Sequence, residues 1–247
     1  MKSLEQRGFS LVELMVAIAV ALFLVAGVVT VLSNTRNTYK DQSKLAQLQD
    51  DQRLAMTLLG NVVQSAGYYP DPLGMTADSE FKAGAVTFTG QTLAFAKDGQ
   101  SISGATNTTA AGDTLVVRFE TSGTGSDNII DCTGQQWKTA GIIVNTLTLD
   151  ANNNLLCAVN GSTPTQLVSG VTNMKIWYGL KTDPTVSTNQ VDTYVPTADM
   201  GPDDWSNVMS LRLTLTFKNP LYGAPGQSAT IDFTRVIAVM NKAGVQT

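Results

Sequence analysis

Three regimes of hydrophobic and polar alternation follow one another along this chain. From Leu14 to Leu32 no charged residue interrupts an apolar run. Its roughly 19 residues, wound as a helix, suffice to cross a ~30 Å hydrocarbon layer. Glu13 stands at the front of that run. A carboxylate at the centre of a spanning helix costs roughly 2.5–3.5 kcal/mol, less toward an end, so this one is expected to have a use. After a polar stretch from Ser33 to Lys44, apolar residues recur at Leu45, Leu48, Ala55, Leu59, Val62 and Ala66 with helical spacing, the step near Gln52 staying polar. Proline is absent until Pro70, and Gly67 offers a stop. The pattern therefore predicts one helix from Phe9 to about Ala66, roughly 87 Å at ~1.5 Å per residue.

From Ala85 the period changes to two. Val86-Thr87-Phe88-Thr89 and Thr92-Leu93-Ala94-Phe95 alternate about Gly90-Gln91, which reads as a hairpin. Further strands are predicted at Thr114–Glu120, Gly141–Leu149, Asn154–Val159, Thr172–Gly179, Val208–Phe217 and Ile231–Met240. Leu211, Leu213, Leu215 and Phe217 share one face of theirs, with Arg212, Thr214 and Thr216 on the other, the mark of a half-buried antiparallel strand. Gly99–Gly112 and Lys181–Asn207, the latter with Pro184, Pro196 and Pro202, read as linkers. The expected fold class is α+β: a long N-terminal helix, half apolar and half amphipathic, packed on a predominantly antiparallel β-domain.

Composition narrows the chemistry. The chain has 247 residues, of which about 210 lie beyond the apolar segment, suited to one moderately large domain. Net charge is −4, without histidine. An acidic chain lacking clustered Lys and Arg is not built to bind nucleic acid directly. The absence of histidine removes Ser-His-Asp and Cys-His arrangements and imidazole ligands. Neither an enzymatic activity nor a cofactor or metal is expected. Two cysteines occur, Cys132 and Cys157. In an oxidising compartment they would close a loop of about 25 residues, worth roughly 3.5 kcal/mol in the chain-entropy model.

The residues Arg7-Gly8-Phe9-Ser10-Leu11-Val12-Glu13-Leu14 closely resemble the class III leader and mature start of type IV pilins and type II secretion pseudopilins. That resemblance implies a membrane peptidase that cuts after Gly8 and methylates the new amine of Phe9. It implies, too, that Glu13 is the carboxylate used in filament assembly. Cleavage would place the Phe9 amine four residues ahead of Glu13, on one helical face. Two opposite charges ~4 Å apart attract by about 4 kcal/mol at an effective dielectric near 20, before desolvation. The partner amine is that of the same chain or of a neighbouring subunit; both arrangements fit the residues.

Shorter segments, among them Thr114-Leu115-Val116-Val117-Arg118-Phe119, Ile130-Asp131-Cys132-Thr133-Gly134, Leu155-Leu156-Cys157 and Trp177-Tyr178-Gly179, resemble minor pilins of the PilW type, relatives of the J-type minor pseudopilin. The implied partners are the prepilin peptidase, other minor pilins, the major pilin, and the inner membrane before assembly, with no nucleic acid bound directly. The implied organisation is a leader at 1–8, a membrane or filament-core half-helix at 9–33, an amphipathic half at 34–67 and an extracytoplasmic β-rich domain at 68–247. An exported domain of this kind favours a Cys132–Cys157 disulfide over reactive thiols.

Other readings compete. Residues 1–33 also suit a signal anchor or a secretory signal peptide, but the run is long for an h-region and no A-x-A site lies between Gly27 and Ser33. A J-type pseudopilin or a pilus-displayed adhesin shares the same leader. Asp150-x-Asn152-x-Asn154 mimics the opening of a calcium loop, yet Leu155 replaces the glycine and Gly161 the distal carboxylate. Asp183, Asp192, Asp199 and Asp203 form another conceivable calcium set, and Trp137, Trp177 and Trp205 a conceivable binding patch.

Overall fold

A computed structural model describes residues 10–88, 91–107, 111–125, 127–183 and 190–243 of the chain. Gly8, Phe9 and the hairpin residue Gly90 lie outside the described residues, as do parts of both expected linkers. The chain divides into two compact units, residues 1–47 and 48–247, and helix α1 (Leu11–Ser65) contributes to each.

In the first unit the helix is solvent-facing on every side. Leu11, Leu14, Phe23, Leu24, Val28 and Val31 are all more than half exposed. The hydroxyls of Thr30 and Thr35 donate to the carbonyls of Ala26 and Val31, both at 2.9 Å. These side chains thus satisfy themselves within the helix, as apolar surroundings would demand.

In the second unit α1 buries Leu48, Ala55, Met56, Leu59, Gly60, Val62 and Val63. Helical spacing predicts the stripe through Leu48, Ala55, Leu59 and Val62; Met56 and Val63 widen it. The helix ends where Gly67, at φ 73°, takes the left-handed conformation natural to glycine and donates its N–H to the Arg118 carbonyl at 3.0 Å. Short helices α2 (Ala77–Glu80) and α3 (Met240–Ala243) flank the β-elements.

Eleven strands are described, all paired antiparallel: β1 (Gly84–Phe88), β2 (Gln91–Phe95), β3 (Ile102–Thr106), β4 (Asp113–Thr121), β5 (Gly141–Leu149), β6 (Asn154–Val159), β7 (Thr165–Ser169), β8 (Val171–Leu180), β9 (Thr193–Pro196), β10 (Val208–Lys218) and β11 (Thr230–Ala238). They form a β1-β2 hairpin, a four-stranded sheet in the order β11-β10-β8-β9, and a five-stranded meander β3-β4-β5-β6-β7. The fold is α+β, the long helix packed with antiparallel sheet.

One core joins α1 to both larger sheets. Leu59 and Val63 share one buried cluster with Leu115, Val117 and Phe119 of β4, Leu147 of β5, Met174 and Ile176 of β8, and Leu211, Leu213 and Leu215 of β10. A smaller core lies on the other face of β4, where Leu93 and Phe95 of the hairpin cover Val116.

Two expected linkers are corrected. Gly99–Gly112 contains β3, and Lys181–Asn207 contains β9 with two short 3₁₀ turns. Residues at 239–240, read as the end of the last strand, leave it; Met240 begins α3.

Candidate functional site

Ser10 opens α1: its hydroxyl accepts from Val12 N at 3.3 Å and its carbonyl from Leu14 N at 3.2 Å. Glu13 follows in the first turn, where unpaired N–H groups and the helix dipole favour a carboxylate. It is surrounded along the helix by exposed Leu11, Val12, Leu14 and Met15. Residues 11–32 thus present a carboxylate at the leading end of a helix long and apolar enough to cross a membrane.

The two cysteines are joined. Cys132 and Cys157 form a disulfide with Cα atoms 6.0 Å apart, both fully buried, fastening the 130–137 loop to β6. The neighbouring Asp131 knots the loop from within. Its buried carboxylate accepts from Thr133 N at 2.8 Å, Thr133 Oγ1 at 2.6 Å, Gln135 N at 3.1 Å and Trp137 Nε1 at 2.8 Å. Cys132 N donates to the buried Asn145 Oδ1 at 2.8 Å. An aspartate that accepts from backbone N–H groups two and four residues on is a loop signal readable in sequence; the use of Trp137 by Asp131 and of Asn145 by Cys132 is not.

The calcium-loop mimic is a turn. Asp150 accepts from Asn152 N at 2.9 Å, Asn154 N at 2.8 Å and Asn154 Nδ2 at 2.9 Å. Burial pushes the Asp150 carboxyl up, but these bonds hold it below the usual carboxylate range. Of the other aspartates, Asp192 accepts from Thr182 N and Asp183 N, and Asp203 pairs with Lys97. Among the described residues no three His, Cys, Asp or Glu side chains stand close enough to share a metal ion.

The tryptophans occupy three different places. Trp137 closes the Asp131 loop, Trp205 packs edge-on to buried Tyr178 at 4.9 Å, and Trp177 lies on the outer face of β8 beside Arg212. A cleft of about 440 Å³ between α1 and the 127–130 loop is lined by Asn61, Gln64, Tyr68, Asp127 and Asn241 among others. Its one carboxylate, Asp127, is occupied by Ser122 Oγ and N and Thr121 Oγ1, bonds that hold it below the ordinary range.

A second feature escapes sequence reading. Arg118, 5% exposed, donates Nε to Gln100 O at 2.7 Å, Nη1 to Lys82 O at 2.7 Å and Nη2 to Phe81 O at 3.1 Å. Its guanidinium lies 4.0 Å from the Phe95 ring centroid. Burial lowers its pKa to about 10, against an upward push from Asp98, and it stays charged at neutral pH. Arg118 binds the hairpin and the 81–82 and 100–101 turns to β4, the role of a positioning residue rather than a reactive one.

Compared with known proteins, the family described as type IV pilus-assembly protein W matches residues 138–237, from just before β5 to near the end of β11. The prokaryotic N-terminal methylation motif matches residues 4–29, including Glu13. No curated protein matches the chain.

Proposed function

We propose that this chain, in which a segment matching the PilW family lies behind an N-terminal methylation motif, is a type IV pilin-like protein and a minor pilin that helps initiate pilus assembly. Prepilin peptidase cuts between Gly8 and Phe9 and methylates the Phe9 amine. Before assembly the apolar half-helix, residues 9–33, holds the protein in the inner membrane, with residues 34–67 and the β-rich region 68–247 on the periplasmic side. Other minor pilins and the major pilin then take it into the filament.

The observation that carries this reading is Glu13, placed in the first turn of an apolar helix whose side chains are exposed. A charge in such surroundings is tolerated when something compensates it. The Phe9 amine, of this chain or of a subunit already in the filament, is that compensation. Glu13 therefore docks the incoming subunit.

The test joins a variant to a deletion. Glu13→Gln is expected to leave cleavage after Gly8 and methylation of Phe9 intact by mass spectrometry, while removing the protein from sheared pili. Incorporation at the normal level would exclude the docking role. Deletion of the gene is expected to remove surface pili and leave secretion unchanged. Pili in normal number with exported enzymes trapped in the periplasm would assign the chain to a secretion system instead. Normal pili with altered attachment would make it an adhesin.

A further inference from the structure

The outer face of the four-stranded sheet carries a row of side chains set by strand register. Pro196 of β9 pairs with Trp177 of β8, Trp177 with Arg212 of β10, and Arg212 with Val236 of β11. These residues face away from Leu211, Leu213, Ile176 and Tyr178, which fill the core. Within the row the Arg212 guanidinium lies 4.8 Å from the Trp177 ring centroid and 5.1 Å from that of Tyr194. Tyr194 is fixed in turn by a 3.0 Å hydroxyl contact with Ser210. Two rings thus hold the guanidinium in place. Yet among the described residues no hydrogen bond or ion pair is seen at its N–H groups, whereas Lys44 pairs with Asp41, Arg53 with Asp50, Lys82 with Asp98 and Lys97 with Asp203.

We propose that this face is a protein-docking surface and that Arg212 is its anchor, taking a carboxylate of an acidic segment of a partner protein. The charge pattern selects the occupant. Lys175 pairs with Thr214, so it lies diagonal to Arg212 at roughly 7–8 Å on the same face. Asp232, the acid on this face of β11, pairs opposite Thr216, two pleats beyond Val236. In a chain of net charge −4 this is a local positive field, complementary to an acidic surface. Rigid Trp, Tyr and Arg side chains are those that dominate protein interfaces. Holding the planar fork in advance reduces the entropy lost when a carboxylate takes two of its N–H groups. Val236, 56% exposed, offers apolar contact beside it. A saccharide fits less well: both rings turn toward the guanidinium, and the row lies on paired strands rather than in the concave site a small ligand needs.

The test uses the full chain in its native host, with a photoreactive diazirine side chain in place of Val236. Irradiation is expected to give a protein adduct whose linked peptide contains an Asp or Glu. Arg212→Glu should cut its yield at least about tenfold, and Arg212→Lys, which keeps the charge but loses the fork, should not restore it. Arg212→Glu combined with reversal of the partner's acidic residue to Arg should bring it back. Should Arg212→Glu lower the melting temperature, Lys175→Glu serves as the reporting variant. Failure to form an adduct overturns the proposal. So does an adduct with saccharide or lipid, or a protein adduct indifferent to these charges. The outcome is independent of Glu13 and of leader processing.

Discussion

Arg118 and Glu120 stand two residues apart on one face of β4 and respond to burial in opposite directions. Arg118 is pushed down but remains a cation, because three carbonyls and an aromatic ring replace its water. Glu120 is pushed up, first by burial and then by the adjoining Glu80 carboxyl. A carboxyl raised in the folded state holds its proton above the ordinary value of 4.5, where the unfolded chain has already lost it. The folded chain then binds more protons than the unfolded one, so stability falls as pH rises through that window. Glu120→Gln should therefore be nearly neutral at about pH 4 and stabilising at pH 7, as read by denaturant midpoints of the detergent-solubilised chain. A variant less stable than the parent at pH 7 would show that Glu120 is held by a favourable partner instead. Asp98 and Asp127 lie the other way: Ala83 N–H and Lys82 lower the first, Ser122 the second. Their stabilisation is complete above the ordinary carboxylate pKa and is lost as pH falls through the lowered values. None of this was legible in sequence, since Phe81, Phe95, Gln100 and Arg118 meet only after the hairpin folds over β4.

Among elements, those with a strong period were legible and those lent their form by neighbours were not. Strands β5 and β6 fall where alternation places them, between Gly141 and Val159. Strand β3 reads Ile-Ser-Gly-Ala-Thr, small residues with little intrinsic preference for a strand; its pairing with β4 supplies the conformation. Strand β9 ends in proline, which a central strand would reject. As an edge strand paired only with β8 it tolerates a residue without an N–H. The amphipathic part of α1 was legible in position, though narrower than the face that the two sheets bury. The loop bearing Cys132 has no such period, and its form depends on the disulfide and on Asp131. With a separation of 25 residues, the Cys132→Ser, Cys157→Ser double variant should lose about 3.5 kcal/mol by denaturant unfolding. A loss below about 1 kcal/mol would mean that Asp131, Trp137 and Asn145 already hold the unlinked loop closed.

On the scale of the whole molecule, a single chain carries two kinds of apolar surface. Leu59, Leu115 and Leu213 are removed from water by the protein's own fold, whereas Phe23, Leu24 and Val25 are more than half exposed. A surface of the second kind needs lipid or the helices of other subunits to cover it. Polar substitution should then act differently in the two places. Val25→Asp sets a carboxylate near the middle of the apolar run, at a cost of about 3 kcal/mol to membrane insertion, roughly a hundredfold in the equilibrium. It should move the unassembled chain out of the carbonate-resistant membrane pellet, while Gln49→Asp, on an exposed polar position of α1, should leave it there. Glu13 lies near the end of the run, where the cost is smaller. Glu13→Leu is accordingly expected to keep or strengthen membrane retention while abolishing entry into pili. That pairing separates anchoring, which asks only for apolar length, from docking, which asks for the carboxylate. If Glu13→Leu instead weakened retention, the carboxylate would be serving the membrane-bound chain itself, and the docking role would lose its basis.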